Sequence, residues 1–435
     1  MRRKETVGKT FMPAYRSPEE LEAIQLEGLK WTVGHAYHGS DFYRRSLDAS
    51  GVKPEDITSL DDLHRLPFVT ARDLQEGYPF PLLSVPFKNI VRIHASSGTT
   101  GKRKVMSYTK KDISDWASMF ARCYELAELT AEDRVQICVG YGVWTAGAGF
   151  QNGCEEFGAM ALPVGPGNTE MHLQFLVDFK PTVICSTASM ALLLAEEAEK
   201  AGILDKLNVK KVIMGAERSS DSMREKIKRL FRADHLFDIP GLTEVYGPGT
   251  GLDCTRHAGI HYFPDCYILE LLDPETLEPV REGEIGEMVY TTLRKEGAPL
   301  IRYRSRDLTR LIPGQCPCGS ILPRHDRIVG RSDDMFIVRG VNIYPSHVEE
   351  ILHRHPGLAS EYQVLLDRGE DGKDYMTLRA ERKVTASSDD DRHVSKAVAA
   401  DLRKSLLVSG AVEIVDYGSL PRTGSKARRV VDRRD

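Results

Sequence analysis

The chain has no apolar run approaching the roughly 18–20 residues that a bilayer-spanning helix needs. Its start, Met1-Arg2-Arg3-Lys4-Glu5, is basic but is followed by no apolar stretch, so it does not read as a signal peptide. Neither sign of charge is in excess. The formal net charge of -4 gives no electrostatic reason to expect nucleic acid or an anionic membrane as partner. Internal repeats, low-complexity tracts and the GxxxxGK[ST] loop of P-loop nucleotidases are also missing. A cytoplasmic location is the expectation.

At 435 residues the chain exceeds one ordinary core, so two or more domains are expected. Ser17-Pro18-Glu19-Glu20 is a helix start, after which Leu21, Ile24, Gly28 and Trp31 recur at helical spacing and should face a core. From about residue 90 the pattern alternates strand and helix. Val135–Val139, Thr182–Cys185 and Val212–Met214 are short β-branched runs, the last followed by a helix over 221–231. Strands at 268–272 and 287–293 lie close enough to predict a partly antiparallel sheet. Past residue 330 come strands at 335–338, 362–366, 375–378 and 412–415, with helices at about 345–355 and 390–407. The expected fold is α/β: a large N-terminal α/β domain with mixed sheets (1–330) and a small C-terminal α+β domain (331–435).

Ser96-Ser97-Gly98-Thr99-Thr100-Gly101-Lys102 follows the apolar strand Ile90–Ile93. Small residues let backbone N–H groups close round a polyphosphate, hydroxyls add donors and a lysine adds charge. The alternative is a polar surface turn, which has no need of so many small and hydroxylated residues directly after a buried strand. Cys123, Cys138, Cys154 and Cys185 read as small core residues. Cys316-Pro317-Cys318 brings two thiols together, half of a tetrahedral zinc site, with reduced thiols or a redox pair as the alternatives.

The loop at 95–101 resembles the phosphate loop of the acyl-adenylate-forming superfamily, in its phenylacetate–coenzyme A ligase branch. Leu66-Pro67-Phe68, Tyr141-Gly142-Val143-Trp144, Gly215-Ala216-Glu217, Tyr303-Arg304-Ser305-Arg306-Asp307 and Gly330-Arg331-Ser332-Asp333 continue the likeness in order. The resemblance implies ATP, Mg2+ and coenzyme A as reactants and an aryl acid as substrate. It implies Glu244 as the magnesium ligand, with Thr243 beside the phosphates, and Lys426 as the lysine bridging carboxylate and α-phosphate. Asp307 would hold the ribose, Gly215, Ala216 and Glu217 would line the adenine pocket, and Arg331 would reach ribose and phosphates. Asp333 would be the hinge about which the small domain rotates. Tyr141, Trp144 and Phe150 would line the acyl pocket, although an aromatic stripe among glycines is equally the pattern of plain core.

In that branch some members carry structural zinc, which here implies Cys254, His261, Cys316 and Cys318, with His257 or Cys266 as substitutes. Pro240 departs from the family's usual aromatic before Gly241, and Asn152 and Cys154-Glu155-Glu156 depart from its acyl region. The competing readings are a family member adenylating a deazaflavin cofactor without coenzyme A, and a non-catalytic scaffold. The N-terminal helices are where a homodimer would pack.

Overall fold

The computed structural model describes residues 10–96, 102–217, 219, 221–334, 336–339, 341–369, 373–420 and 429–434. The chain divides into two compact units. The first runs to Arg327 except for Arg306–Leu308, and the second takes those three residues and Ile328 onward.

In the first unit, helices α1 (Pro18–Gly39), α2 (Asp41–Ala49) and α3 (Ala71–Glu76) precede the hairpin β1 (Ile90–Ala95) and β2 (Val105–Thr109). Ser17 caps α1 by accepting from the Glu20 amide. The buried face of α1 is Gly28, Leu29, Thr32, Val33 and Ala36. Leu21 and Ile24 are half-buried and Trp31 is 37% exposed. Of the expected core stripe Gly28 is buried and Leu21 and Ile24 lie at its edge, and the correction falls on Trp31, which is turned outward. Trp31 stacks on His35 at 4.5 Å, one turn on, instead of entering the core.

Next come α4 (Lys110–Leu126), β3 (Arg134–Ile137), α5 (Thr145–Phe157), β4 (Met160–Leu162), α6 (Thr169–Asp178), β5 (Val183–Ser186), α7 (Ala188–Lys200), β6 (Lys211–Gly215), α8 (Asp221–Phe231) and β7 (His235–Ile239). The five strands form one parallel sheet in the order β4-β3-β5-β6-β7. Helix crossovers cover it, which is why β5 is buried along its whole length and reads as a continuous apolar run. Cys123, Cys138, Cys154 and Cys185 are all buried.

A short hairpin, β8 (Gly241–Leu242) and β9 (Gly247–Pro248), follows directly. The unit ends in β10 (Gly251–Asp253), β11 (Ile260–Tyr262), the antiparallel pair β12 (Tyr267–Leu272) and β13 (Gly286–Thr292), then β14 (Tyr303–Thr309), β15 (Leu311–Ile312) and β16 (Arg324–His325).

The second unit holds β17 (Gly330–Arg331), antiparallel to β14, and the hairpin β18 (Phe336–Val338) and β19 (Val341–Ile343). Its helices are α9 (Pro345–His353) and α10 (Asp391–Leu406). Its four-stranded sheet joins β20 (Leu358–Arg368), β21 (Asp374–Arg382), β22 (Ala411–Val415) and β23 (Val430–Asp432) in the order β22-β21-β20-β23. Val364, Leu366, Leu378, Val398 and Leu402 centre its core. The last strand, β23, lies inside the basic tail, where flanking charge hides its two valines.

Candidate active site

The β1–β2 hairpin brings the ends of the glycine-rich loop together: the Ser96 amide donates to the Lys104 carbonyl at 3.0 Å. Ser97, Gly98, Thr99, Thr100 and Gly101 lie outside the described residues. At the loop's entrance Ser96 Oγ is buried and has no hydrogen-bond partner among the described residues. At its exit Lys102 lies over the Tyr78 ring, 5.7 Å from the centroid. The Ala95 amide donates to the Val143 carbonyl at 2.8 Å, fastening the loop's root to the Tyr141–Trp144 segment.

Glu244 sits in the four-residue turn between β8 and β9, and is 2% exposed. Lys104 forms a salt bridge with its Oε1, and the Tyr303 hydroxyl donates to the same oxygen at 3.1 Å. Burial pushes this carboxyl up, but Lys104 prevails and holds it below its ordinary range, so it is ionised. Thr243 beside it is buried. Tyr108 donates its shared hydroxyl to the carbonyls of Thr243 (3.1 Å) and Tyr246 (2.9 Å), and the Trp116 indole donates to Pro248 at 2.7 Å. Gly247 (φ +127°) permits the turn's exit, where a Cβ would stand 2.7 Å from Thr145 and Trp116.

The sequence by itself assigns no role to Lys104, Tyr108 or Lys295, and Tyr303 stands out only within a family motif. Lys104 carried a signal, being the last of three consecutive cations, Lys102-Arg103-Lys104. Lys295-Glu296-Gly297 reads as an exposed turn, yet Lys295 is fully buried.

Gly215 ends β6, and Ala216 adopts a left-handed φ of +68°. Glu217 accepts from the Ser189 amide at the first turn of α7. In the second unit Asp307 faces Arg331 across the β14–β17 pair. Arg331 donates to Asp307 at 3.1 Å and, through two nitrogens, to Asp333 at 2.9 and 3.0 Å. Lys426 lies outside the described residues.

Tyr141 packs its ring on Gly147, where a Cβ would stand 2.6 Å from it. Among the described residues its buried hydroxyl has no partner, nor does the buried Asn152 amide nitrogen on α5. Trp144 is the residue preceding α5 and packs beside Gly140. Phe150 is buried with its ring 4.8 Å from that of Phe120, a core position.

Cys254, His261, Cys316 and Cys318 place their ligand atoms within 4.8 Å of one another. The sulfurs of Cys254 and Cys316 are 3.7 Å apart, and Cys318 Sγ is 3.5 Å from His261 Nε2. His261 Nδ1 meets the Leu322 carbonyl at 3.1 Å, so Nδ1 carries the proton and Nε2 turns a lone pair to the cluster. Burial pushes the Cys254 thiol up to about 12. Of the two substitutes, His257 is engaged by Asp253 at 2.6 Å and Cys266 lies beside Arg122, 3.6 Å away.

Residues 85–292 match the AMP-binding enzyme family model, and residues 340–434 match that of the AMP-binding enzyme C-terminal domain. The chain is 40% identical to a phenylacetate-coenzyme A ligase of Escherichia coli strain K12 and 41% identical to one of Aromatoleum evansii. Each match covers 96% of both chains. The crystal structure of 2-hydroxyisobutyryl-CoA ligase in complex with 2-HIB-AMP superposes with a TM-score of 0.85 at 28% identity, over 97% of this chain and 90% of that one. These relatives are coenzyme A ligases, which does not favour an adenylating enzyme that dispenses with the thiol. The chain belongs to the phenylacetate–coenzyme A ligase family of adenylate-forming enzymes and is an AMP-forming acid–coenzyme A ligase.

Proposed function

We propose that this ligase activates an arylacetate. The acid's carboxylate attacks the α-phosphorus of ATP, giving acyl-adenylate and pyrophosphate, and the thiol of coenzyme A then displaces AMP to give the thioester. The observation that carries the reading is Glu244, a buried ionised carboxylate beside Lys104, at the closed end of the glycine-rich loop. A hard oxygen ligand of this kind fits magnesium, which would neutralise charge on the polyphosphate. The barrier to adenylation is repulsion between anions, so fixed cations and positioning are the means of lowering it.

In this reading the loop amides and the unpartnered Ser96 hydroxyl hold phosphates, with Lys102 adding charge. Lys104 exchanges Glu244 for phosphate when the nucleotide arrives. Asp307 accepts from the ribose hydroxyls, Arg331 reaches ribose and phosphate, and Gly215, Ala216 and Glu217 border the adenine. Lys426 bridges the attacking carboxylate and the α-phosphate, and Asp333 is the hinge. Tyr141 and Trp144 wall the acyl pocket, with Phe150 supporting them from the core. The unpartnered Tyr141 hydroxyl and Asn152 amide favour a ring-hydroxylated arylacetate over phenylacetate, since a buried polar group gains from a polar partner.

Zinc fits the cysteine–histidine cluster by geometry. Tetrahedral zinc with Zn–S of about 2.3 Å sets its sulfurs roughly 3.8 Å apart, close to the 3.7 Å between Cys254 and Cys316. The Leu322 carbonyl behind His261 is the orienting partner that such ligands use. Its role would be to staple the segment after the Glu244 turn to the segment that precedes β16. Among the described residues no helix is long and apolar enough to cross a membrane. The absence of disulfides among the eight cysteines supports a reducing, cytoplasmic setting.

The test is acid-dependent exchange of pyrophosphate into ATP, followed by addition of coenzyme A to the isolated adenylate. Release of AMP with thioester formation bears the reading out; exchange without thiol transfer refutes it.

A further inference from the structure

The turn that carries Glu244 has all four of its carbonyl oxygens engaged by two buried side chains from elsewhere in the fold. Lys295 Nζ donates to Glu244 at 2.9 Å and Val245 at 2.7 Å, and the Tyr108 hydroxyl is shared between Thr243 and Tyr246. A turn of Thr-Glu-Val-Tyr has no glycine to define it and only two amide bonds to Leu242 within it. Left to itself it would sample many conformations, since fixing each residue costs backbone entropy.

Lys295 is itself fully buried. Its ammonium lies over the rings of Tyr108 (4.9 Å) and Tyr246 (4.8 Å), with no carboxylate in hydrogen-bond contact. Burial disfavours this cation, and what offsets it is two carbonyl dipoles, two aromatic faces and the nearby charges of Asp112 and Glu244. From behind, the buried Asp112 carboxylate at the start of α4 accepts from the Glu296 and Gly297 amides at 2.7 and 2.9 Å, fixing the segment that presents Lys295. The carbonyls are thus drawn inward to Lys295 while the Glu244 carboxylate is left on the side of Lys104 and Tyr303.

We propose that Lys295, assisted by Tyr108, is a positioning residue for metal–nucleotide binding, fixing the Glu244 turn so that its carboxylate is preorganised for magnesium. The inference rests on the reading of Glu244 as the magnesium-holding carboxylate. It assigns a task to the lysine of the β13–β14 connection, whose ammonium is enclosed by the turn's carbonyls and two tyrosine rings.

The test titrates magnesium against the full-length protein at saturating ATP and follows the ATP-dependent rise in melting temperature, which needs no turnover. Lys295→Met keeps the volume between the tyrosine rings and removes both hydrogen bonds. It should raise the magnesium concentration for half-maximal stabilisation about tenfold or more, the scale of losing hydrogen bonds from a charged donor. Tyr108→Phe, which keeps its ring, should raise it less. The KM for the acid should move under about twofold, since these contacts do not reach it. Glu244→Gln is the reference. If it leaves the magnesium requirement unchanged, the reading of Glu244 fails and the inference with it. If it shifts the requirement and Lys295→Met does not, the inference alone fails, even if the variant melts lower. Should Lys295→Met not fold, Tyr108→Phe with an unchanged magnesium requirement overturns the proposal, and a raised requirement upholds it.

Discussion

Arg331 grips Asp333 through two hydrogen bonds of 2.9 and 3.0 Å, and its remaining nitrogen reaches Asp307 at 3.1 Å. The three residues to which the proposed reading gives ribose, phosphate and hinge roles are therefore one hydrogen-bonded network. Both acids keep the guanidinium charged despite its burial. A ribose entering at Asp307 would compete with Arg331 for that carboxylate, which would leave Arg331 with Asp333 or the nucleotide's phosphates.

Replacing Asp307 by Ala should raise the KM for ATP by about 10–100-fold, the scale for losing a carboxylate that accepts two hydroxyls. The KM for coenzyme A should stay near its original value. Steady-state kinetics with each substrate varied in turn check this.

Asp333→Pro should separate the two half-reactions. Proline fixes φ near −65°, so it removes the backbone freedom that a hinge uses. Pyrophosphate exchange should fall by less than about threefold while thioester formation from supplied acyl-adenylate falls by about tenfold or more, the range for blocking a conformational step. Equal loss in both would contradict the hinge role.

Lys426→Ala should show the opposite pattern. Adenylation should slow by about 10²–10³-fold, as for loss of one transition-state stabiliser. Thioester formation from supplied acyl-adenylate should be nearly unchanged.

Chelation should remove about one zinc per chain and lower the melting temperature by several degrees, the scale for losing a few kcal/mol. Cys316→Ser should do the same without chelator. Metal-free protein that melts at the same temperature would contradict the zinc assignment.

The pH dependence of folding offers a check on the site's packing. His94 is buried against Tyr108 and Trp116, with Nδ1 facing the Val143 carbonyl and Nε2 unpartnered. Burial pushes it down to about 4. Its folded value is lower than its unfolded value, so the unfolded chain takes up a proton first. The neutral ring's contribution is complete above about pH 6.5 and is lost as pH falls toward about 4, up to about 3 kcal/mol in all. Urea midpoints measured between pH 7 and 4.5 should fall less steeply in His94→Phe than in the parent.

Three of the parallel strands, β3, β5 and β6, were legible because burial on both faces makes them continuous apolar runs. In the second unit β18, β20, β21 and β22 were legible as short apolar runs, whereas β17, β19 and β23 carry too few apolar residues to stand out. The outward turn of Trp31 on α1 was not legible, because an aromatic on a helix reads as core. The Cys316–Cys318 pair could be named because two thiols one residue apart are a local signal, and Cys254 and His261 from the family resemblance. Lys295 could not be, since nothing local distinguishes a lysine buried against two tyrosine rings from one in an exposed turn. The partners that bury it lie about 50 and 187 residues away in sequence.

The most direct test incubates the purified protein with ATP, magnesium, coenzyme A and a panel of aryl acids that includes phenylacetate and its ring-hydroxylated forms. The account predicts acid-dependent AMP matched one for one by an arylacetyl thioester, greatest for an arylacetate. Absence of AMP with every aryl acid, or AMP without thioester, would contradict it.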